Sequence, residues 1–218
     1  MTGPSTAPLR SIDEVTMLVR EAANGRDRIV VGIAGAPGSG KSTIAEALVD
    51  ALGGDAALLP MDGFHLSNAQ LARLGSRDRK GAPDTFDAAG FTATLARIRA
   101  AGEGNPGAHT VYAPAFFREV DESFAASVAV LPSTRIVVTE GNYLLLDSHG
   151  WAGVAGLLDV SLYAGVDHGV RMRRLVARHE LFGMTHEQAV AWAGGTDERN
   201  AVLIEATRHR ADHQLDLG

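Results

Sequence analysis

The sequence predicts an α/β fold, a parallel β-sheet with helices on both faces. Three observations predict it. The runs Arg28–Ala34, Arg135–Thr139 and Leu158–Tyr163 are apolar or β-branched almost without alternation, as strands covered on both faces are. Stretches of helical periodicity lie between strand-like runs, the pattern of a parallel sheet built from crossover connections. A glycine-rich turn then joins the first buried strand directly to a helix, at the edge where such sheets bind ligands. A chain of 218 residues, 45% hydrophobic and 21% charged, has room for one domain with its own core.

The elements follow in order. The first ten residues are polar and proline-rich and read as loose. Ser11-Ile12-Asp13-Glu14 has the form of a capping box, followed by Val15, Leu18, Val19 and Ala22 at helical spacing and the stop Asn24-Gly25. The strand Arg28–Ala34 leads into the glycine-rich turn and a helix from Lys41 to about Leu52. Ala56–Pro60 reads as a short strand. Residues 61–86 are loop-rich, with a short helix near 69–74. Asp87 caps a helix to about Ala101, Gly102–Gly107 is a turn, and His109–Tyr112 is a short strand. After the strands at 135–139 and 158–163, helices are expected at 167–182, 185–194 and 197–211. The expected organisation is a single domain over 1–218, with 61–118 inserted over the ligand edge and 171–186 as a helical lid.

Composition removes several classes. There is no cysteine, which excludes disulfides, thiol catalysis and Cys-ligated zinc. The net charge of −6 argues against a broad nucleic-acid or anionic-membrane surface. No apolar run approaches membrane-spanning length, and the first residues lack the basic and apolar regions of a secretory signal. A cytoplasmic protein is expected. Of the 20 basic residues only Lys41 and Lys80 are lysines, and both fall in segments that look functional.

Gly35-Ala36-Pro37-Gly38-Ser39-Gly40-Lys41-Ser42 fits G-x-x-x-x-G-K-[ST] between a buried strand and a helix. Such a loop turns backbone N–H groups inward around phosphate oxygens, and the helix N-terminus adds partial positive charge. Lys41 is expected to reach the β- and γ-phosphates and the Ser42 hydroxyl to take Mg²⁺, so ATP and Mg²⁺ are the expected cofactors on Gly35–Thr43. This predicts a P-loop NTPase fold. No Asn-Lys-x-Asp base-reading motif is present, which excludes the GTPases. The dinucleotide fingerprint fails because Thr43 stands where its last glycine would be.

Asp62, in Met61-Asp62-Gly63-Phe64-His65, follows a strand and can approach a γ-phosphate and a hydroxyl acceptor as general base or Mg²⁺ partner; Asp-Gly reads equally well as a plain turn. Glu140 ends a hydrophobic strand, as the acid that orients Mg²⁺ does in such folds. Arg171, Arg174 and Arg178 recur at helical spacing on one face, as a lid over a transferring phosphoryl group requires. Trp151 and Trp192 read as core anchors. No histidines pair at metal-ligand spacing.

In this order the segments resemble the phosphoribulokinase / uridine kinase / pantothenate kinase group of P-loop kinases, with similarity to its bacterial nucleoside/nucleotide kinase or fructose-transport-associated branch. The matching pieces are Gly35–Ser42, Met61–His65, Arg79–Asp87, Tyr112–Phe116, Glu140–Tyr143, Arg174–His179 and Thr207–Asp212. The resemblance implies phosphorylation of a hydroxyl on a small metabolite, a sugar, nucleoside or pantothenate-like molecule. It implies Asp62 as base, Lys41, Arg174 and Arg178 as catalytic cations, and Lys80 facing the acceptor or the phosphates. It places His65, Arg118, Asn142, Tyr143 and Asn200 along the acceptor, and Arg208 or Arg210 along the adenine. Phe117 departs from the family pattern, where a polar residue is usual, and raises the expectation of a more apolar acceptor contact. Relatives are often dimeric, so a homodimer stays open. The alternative from another class is a nucleotide-binding regulatory ATPase without a dedicated acceptor.

Overall fold

A computed structural model describes residues 7–217. The elements run α1 (Ile12–Ala23), β1 (Ile29–Ala34), α2 (Lys41–Leu52), β2 (Ala56–Pro60), α3 (Asn68–Arg73), α4 (Ala88–Ala100), β3 (Val111–Phe117), β4 (Glu122–Val130), β5 (Ile136–Gly141), β6 (Val160–Ala164), α5 (His168–Leu181), α6 (His186–Trp192), α7 (Glu198–Glu205) and β7 (His213–Leu215).

Five strands form one parallel sheet in the order β2-β5-β1-β6-β7. Side chains alternate across it. Val30 and Ala34 pack with Phe91, Leu95 and Trp151 on one face, whereas Ile29, Val31 and Ile33 pack with Val15, Val19 and Leu48 of α1 and α2 on the other. Every residue of β1 and β5 is buried, which is why both strands read as unbroken apolar runs. The register sets Ile33 and Pro60 beside Glu140, so β1, β2 and β5 end level. The phosphate loop, the turn carrying Asp62, and Glu140 therefore emerge at one edge. Among the described residues no helix is long and apolar enough to cross a membrane.

The structure differs from expectation in four places. Glu122–Val130 is a strand paired antiparallel with β3, so residues 111–130 form one hairpin that runs past residue 118. Its residues are mostly small and five of the nine are exposed, so no buried run of large apolar side chains marks it. The final helix stops at Glu205, and β7 adds the fifth strand beside β6. Leu9 is tied to that strand: its N–H donates to the Gln214 carbonyl at 2.8 Å, and its carbonyl accepts from the Asp216 N–H at 2.9 Å. The opening segment is thus fixed at Leu9, while residues 1–6 lie outside the described residues. At α1, Ser11 Oγ accepts the Glu14 N–H at 3.1 Å as a capping box requires, but the Glu14 carboxylate takes the Arg10 N–H at 2.7 Å instead of that of Ser11.

Candidate active site

The phosphate loop leaves β1 and enters α2 through two left-handed residues, Gly38 (φ 81°) and Gly40 (φ 88°), a conformation L side chains rarely adopt. A Cβ at Gly38 would also run into the Leu175 side chain and the Arg171 carbonyl of α5. Gly40 caps α2 without a side-chain hydrogen bond, so the first amides of that helix are left for a ligand. Lys41 is buried, which lowers its pKa, while the Glu140 and Asp62 carboxylates pull it back up. Ser39 Oγ is buried with no hydrogen-bond partner.

Glu140, buried at the end of β5, is hydrogen-bonded by the Ser42 side chain. Burial pushes its carboxyl up to about 7 against the pull of Lys41, with Asp62 adding to the rise. Asp62 sits in the 3-10 turn Met61–Phe64 after β2. Burial alone would raise it, but His65, Arg118, Lys41 and Arg178 outweigh burial and hold it below the ordinary aspartate range. Arg118 Nη2 reaches Asp62 Oδ2 at 3.1 Å. The turn lies flat against β3, where a Cβ at Gly63 would run into the Pro114 carbonyl.

One cavity of about 440 Å³ joins these parts. Pro37, Lys41, Ser42 and Asp62 line one end. His65, Phe86 and Phe116 form an aromatic wall, with ring centroids of His65 at 3.9 Å from Phe86 and 4.7 Å from Phe116. Asn142, Arg178, His179, Phe182, Met184, Trp192 and Asn200 line it as well.

Lys41, Ser42, Asp62, His65, Lys80, Arg118, Asn142, Arg178 and Asn200 are thus brought together as the sequence predicts. Gly35, Ala36, Gly38, Ser39, Gly40 and Thr43 lie in the loop and the first turn of α2. Other expected site residues do not line this cavity. Tyr143 is fully buried in the core beside Phe86 and Trp151, and its hydroxyl donates to the Gly81 carbonyl at 2.5 Å. It packs behind the cavity wall, and burial raises its hydroxyl pKa. Arg210 lies outside the cavity and pairs with Asp147 at 2.8 Å.

The three α5 arginines separate in role. Arg171 is 1% exposed and pairs with Glu198 at the start of α7; Arg174 lies beside Gly40; Arg178 lines the cavity. Seven residues along a helix is about 10 Å of rise, so a shared face does not mean a shared neighbourhood. Phe117 is 42% exposed and packs on Phe124, away from the cavity, whereas Phe116 on the opposite side of β3 lines it. The departure at 117 therefore does not shape the acceptor wall. Trp192 is half-buried and lines the cavity, unlike Trp151, which is fully buried.

Sequence reasoning did not single out Phe86, Asp121 or Asp197. Asp197 accepts from His179 Nε2 at 2.7 Å and is set by a π-helical turn, Ala193–Asp197, a local feature that frequently marks functional sites. Only the packed fold brings it to α5.

The geometry agrees with comparisons to known proteins. A family model described as "Phosphoribulokinase / Uridine kinase family" matches residues 30–187. A provisionally named uridine kinase of Schizosaccharomyces pombe is 32% identical over 206 residues, covering 89% of this chain and 86% of the relative. The pantothenate kinase of Limosilactobacillus reuteri is 35% identical over 144 residues, 63% of this chain but 45% of that protein. The crystal structure of a provisionally named fructose transport system kinase from Silicibacter sp. TM1040 superposes with a TM-score of 0.84 at 38% identity, covering 95% of this chain and 100% of that one. With the phosphate-loop residues Lys41 and Ser42, the acid Asp62 and the β3 residue Phe116 lining one cavity, this chain belongs to the phosphoribulokinase / uridine kinase family and is a small-molecule kinase of the P-loop fold.

Proposed function

We propose that the chain transfers the γ-phosphoryl group of ATP to a hydroxyl of a small metabolite held against Asp62, with Mg²⁺ bound beside the nucleotide. One observation carries this reading: a single cavity runs from Lys41 and Ser42 past Asp62 to an aromatic and polar wall beyond. A purely regulatory nucleotide-binding protein has no use for that second half.

The Ser42 hydroxyl and the Glu140 and Asp62 carboxylates are hard oxygen donors at one strand edge. Among the described residues no three acidic or histidine side chains gather as metal ligands. That donor set fits Mg²⁺, which keeps several waters and takes phosphate oxygens. Ser42 and Glu140 would hold it, and its charge would offset that of the β- and γ-phosphates. Lys41 and the loop amides bind the phosphates, and Arg178 and Arg174 approach the transferring group from α5. Asp62, held ionised, accepts the acceptor hydroxyl proton as the oxygen bonds to the γ-phosphorus and the bond to the β-phosphate oxygen breaks. α5 and the hairpin keep water from the transfer.

A positioned base contributes about 10²- to 10⁴-fold, at the low end if the transition state is loose. Asp62→Asn is therefore expected to keep nucleotide binding and lose turnover within that range. The measurement is ADP release with ATP–Mg²⁺ against sugars, nucleosides and pantothenate, with Lys41→Ala as blank. Near-normal turnover of Asp62→Asn with a verified acceptor removes the base role.

A further inference from the structure

Lys80 is one of two lysines in the chain and lines the acceptor end of the cavity, yet its ammonium is already engaged. An ammonium has three donors. In Lys80 they meet Asn68 Oδ1 at 2.8 Å, the Asp121 carbonyl at 2.6 Å and Asp121 Oδ1 at 3.1 Å. The side chain is 6% exposed and its Nζ lies 4.9 Å from the centre of the Phe116 ring. It clamps the β3–β4 turn onto the segment before α4, instead of presenting donors to the cavity.

The other cations at this end are likewise engaged. Arg77 Nη2 donates to Asp121 Oδ2 at 2.7 Å, and the neighbouring Glu122 carboxylate takes the Asn68 N–H at 3.0 Å. Arg118 is held by Asp62. Apart from the phosphate loop and Arg178, which serve the phosphoryl end, each of these cationic side chains facing the acceptor has a carboxylate partner. The rest of the wall is made of the His65, Phe86 and Phe116 rings and the amides of Asn142 and Asn200. An acceptor bearing a carboxylate or phosphate would meet cations already matched here and would lie close to Asp62, Asp121 and Asp197.

We infer that the acceptor is an uncharged, hydroxyl-bearing molecule, and that Asp121 sets this specificity by occupying Lys80 and Arg77. The inference rests on the kinase reading above. Asp121 stands at φ 52° in the hairpin turn, a conformation that asparagine tolerates well, so Asp121→Asn removes the charge and keeps the turn.

The test measures binding to protein saturated with a non-hydrolysable ATP analogue and Mg²⁺, so that the phosphate loop is filled. The probes are matched pairs, D-ribose with D-ribose 5-phosphate and glycerol with D-glycerate. Wild type is expected to show no preference for the charged member of either pair. Asp121→Asn is expected to bind the charged members about two- to fivefold more tightly than wild type, the range for freeing partly exposed cations. Adding Lys80→Met and Arg77→Met together should abolish that gain. Wild type preferring a charged probe overturns the inference, as does an Asp121→Asn variant without gain or a gain that survives both lysine and arginine substitutions. Failure of the kinase reading is seen separately, as a protein whose melting temperature the ATP analogue does not raise.

Discussion

Asp62 and Glu140 stand at neighbouring strand ends in one cluster, yet their protons are pushed in opposite directions. Four basic side chains outweigh burial at Asp62, whereas at the deeper Glu140 burial dominates and holds the carboxyl at about 7. The consequence for stability has a definite sign. Between the ordinary glutamate range and about pH 7 the folded protein keeps a proton on Glu140 that the unfolded chain has lost. Stability of the nucleotide-free protein from this group therefore falls as pH rises through that window. Asp62 acts in the opposite sense but below it, since its lowered pKa costs stability only under acid conditions. Glu140→Gln should flatten the slope between pH 5 and 7 in denaturant unfolding. Parallel curves for wild type and variant would show that Glu140 does not hold the proton.

At the scale of elements, the site depends on two contacts between segments. The turn after β2 lies against β3 only because residue 63 has no side chain. Gly63→Ala must push the hairpin away from Asp62. We expect about 1–3 kcal/mol lower stability, as for overpacking, together with reduced turnover. Unchanged unfolding and kinetics would mean that the hairpin moves freely. The second contact is α5. Arg178 faces the cavity, and Arg171 ties α5 to α7 through Glu198. Arg178→Ala should lower turnover with little change in melting temperature. Arg171→Ala should do the reverse in stability, costing about 1–3 kcal/mol for a lost charge-assisted hydrogen bond. A variant pair with the same profile in both assays would refute this division.

On the scale of the whole molecule, the cavity floor is also the core. Trp151 is fully buried, donates its indole N–H to the Pro83 carbonyl at 3.0 Å, and touches the Phe86, Phe91 and Tyr143 rings. Trp151→Ala should cost about 3–5 kcal/mol in denaturant unfolding and weaken acceptor binding through Phe86. A loss below about 1 kcal/mol would mean that the site refills. Much of this was legible in the amino-acid sequence: the parallel sheet, because strands buried on both faces must be apolar throughout; the phosphate loop, because its function demands fixed residues at fixed spacing; and Asp62 and Glu140, because strand ends point to the ligand edge. What local sequence leaves open is which side chains meet across the fold. The β4 strand is largely exposed and its alanines and valines form no buried run, and β7 is three residues long with its pairing supplied by β6 and Leu9. Tyr143, expected along the acceptor, lies in the turn after β5 and is buried in the core against Phe86 and Trp151, a packing that only the folded chain supplies. Lys80 and Asp121 lie 41 residues apart, and their pairing exists only once the hairpin folds over the sheet. Sequence alone determined the phosphate chemistry through local geometry, and the tertiary structure decided the charge balance facing the acceptor, because ion pairing depends on distance in space.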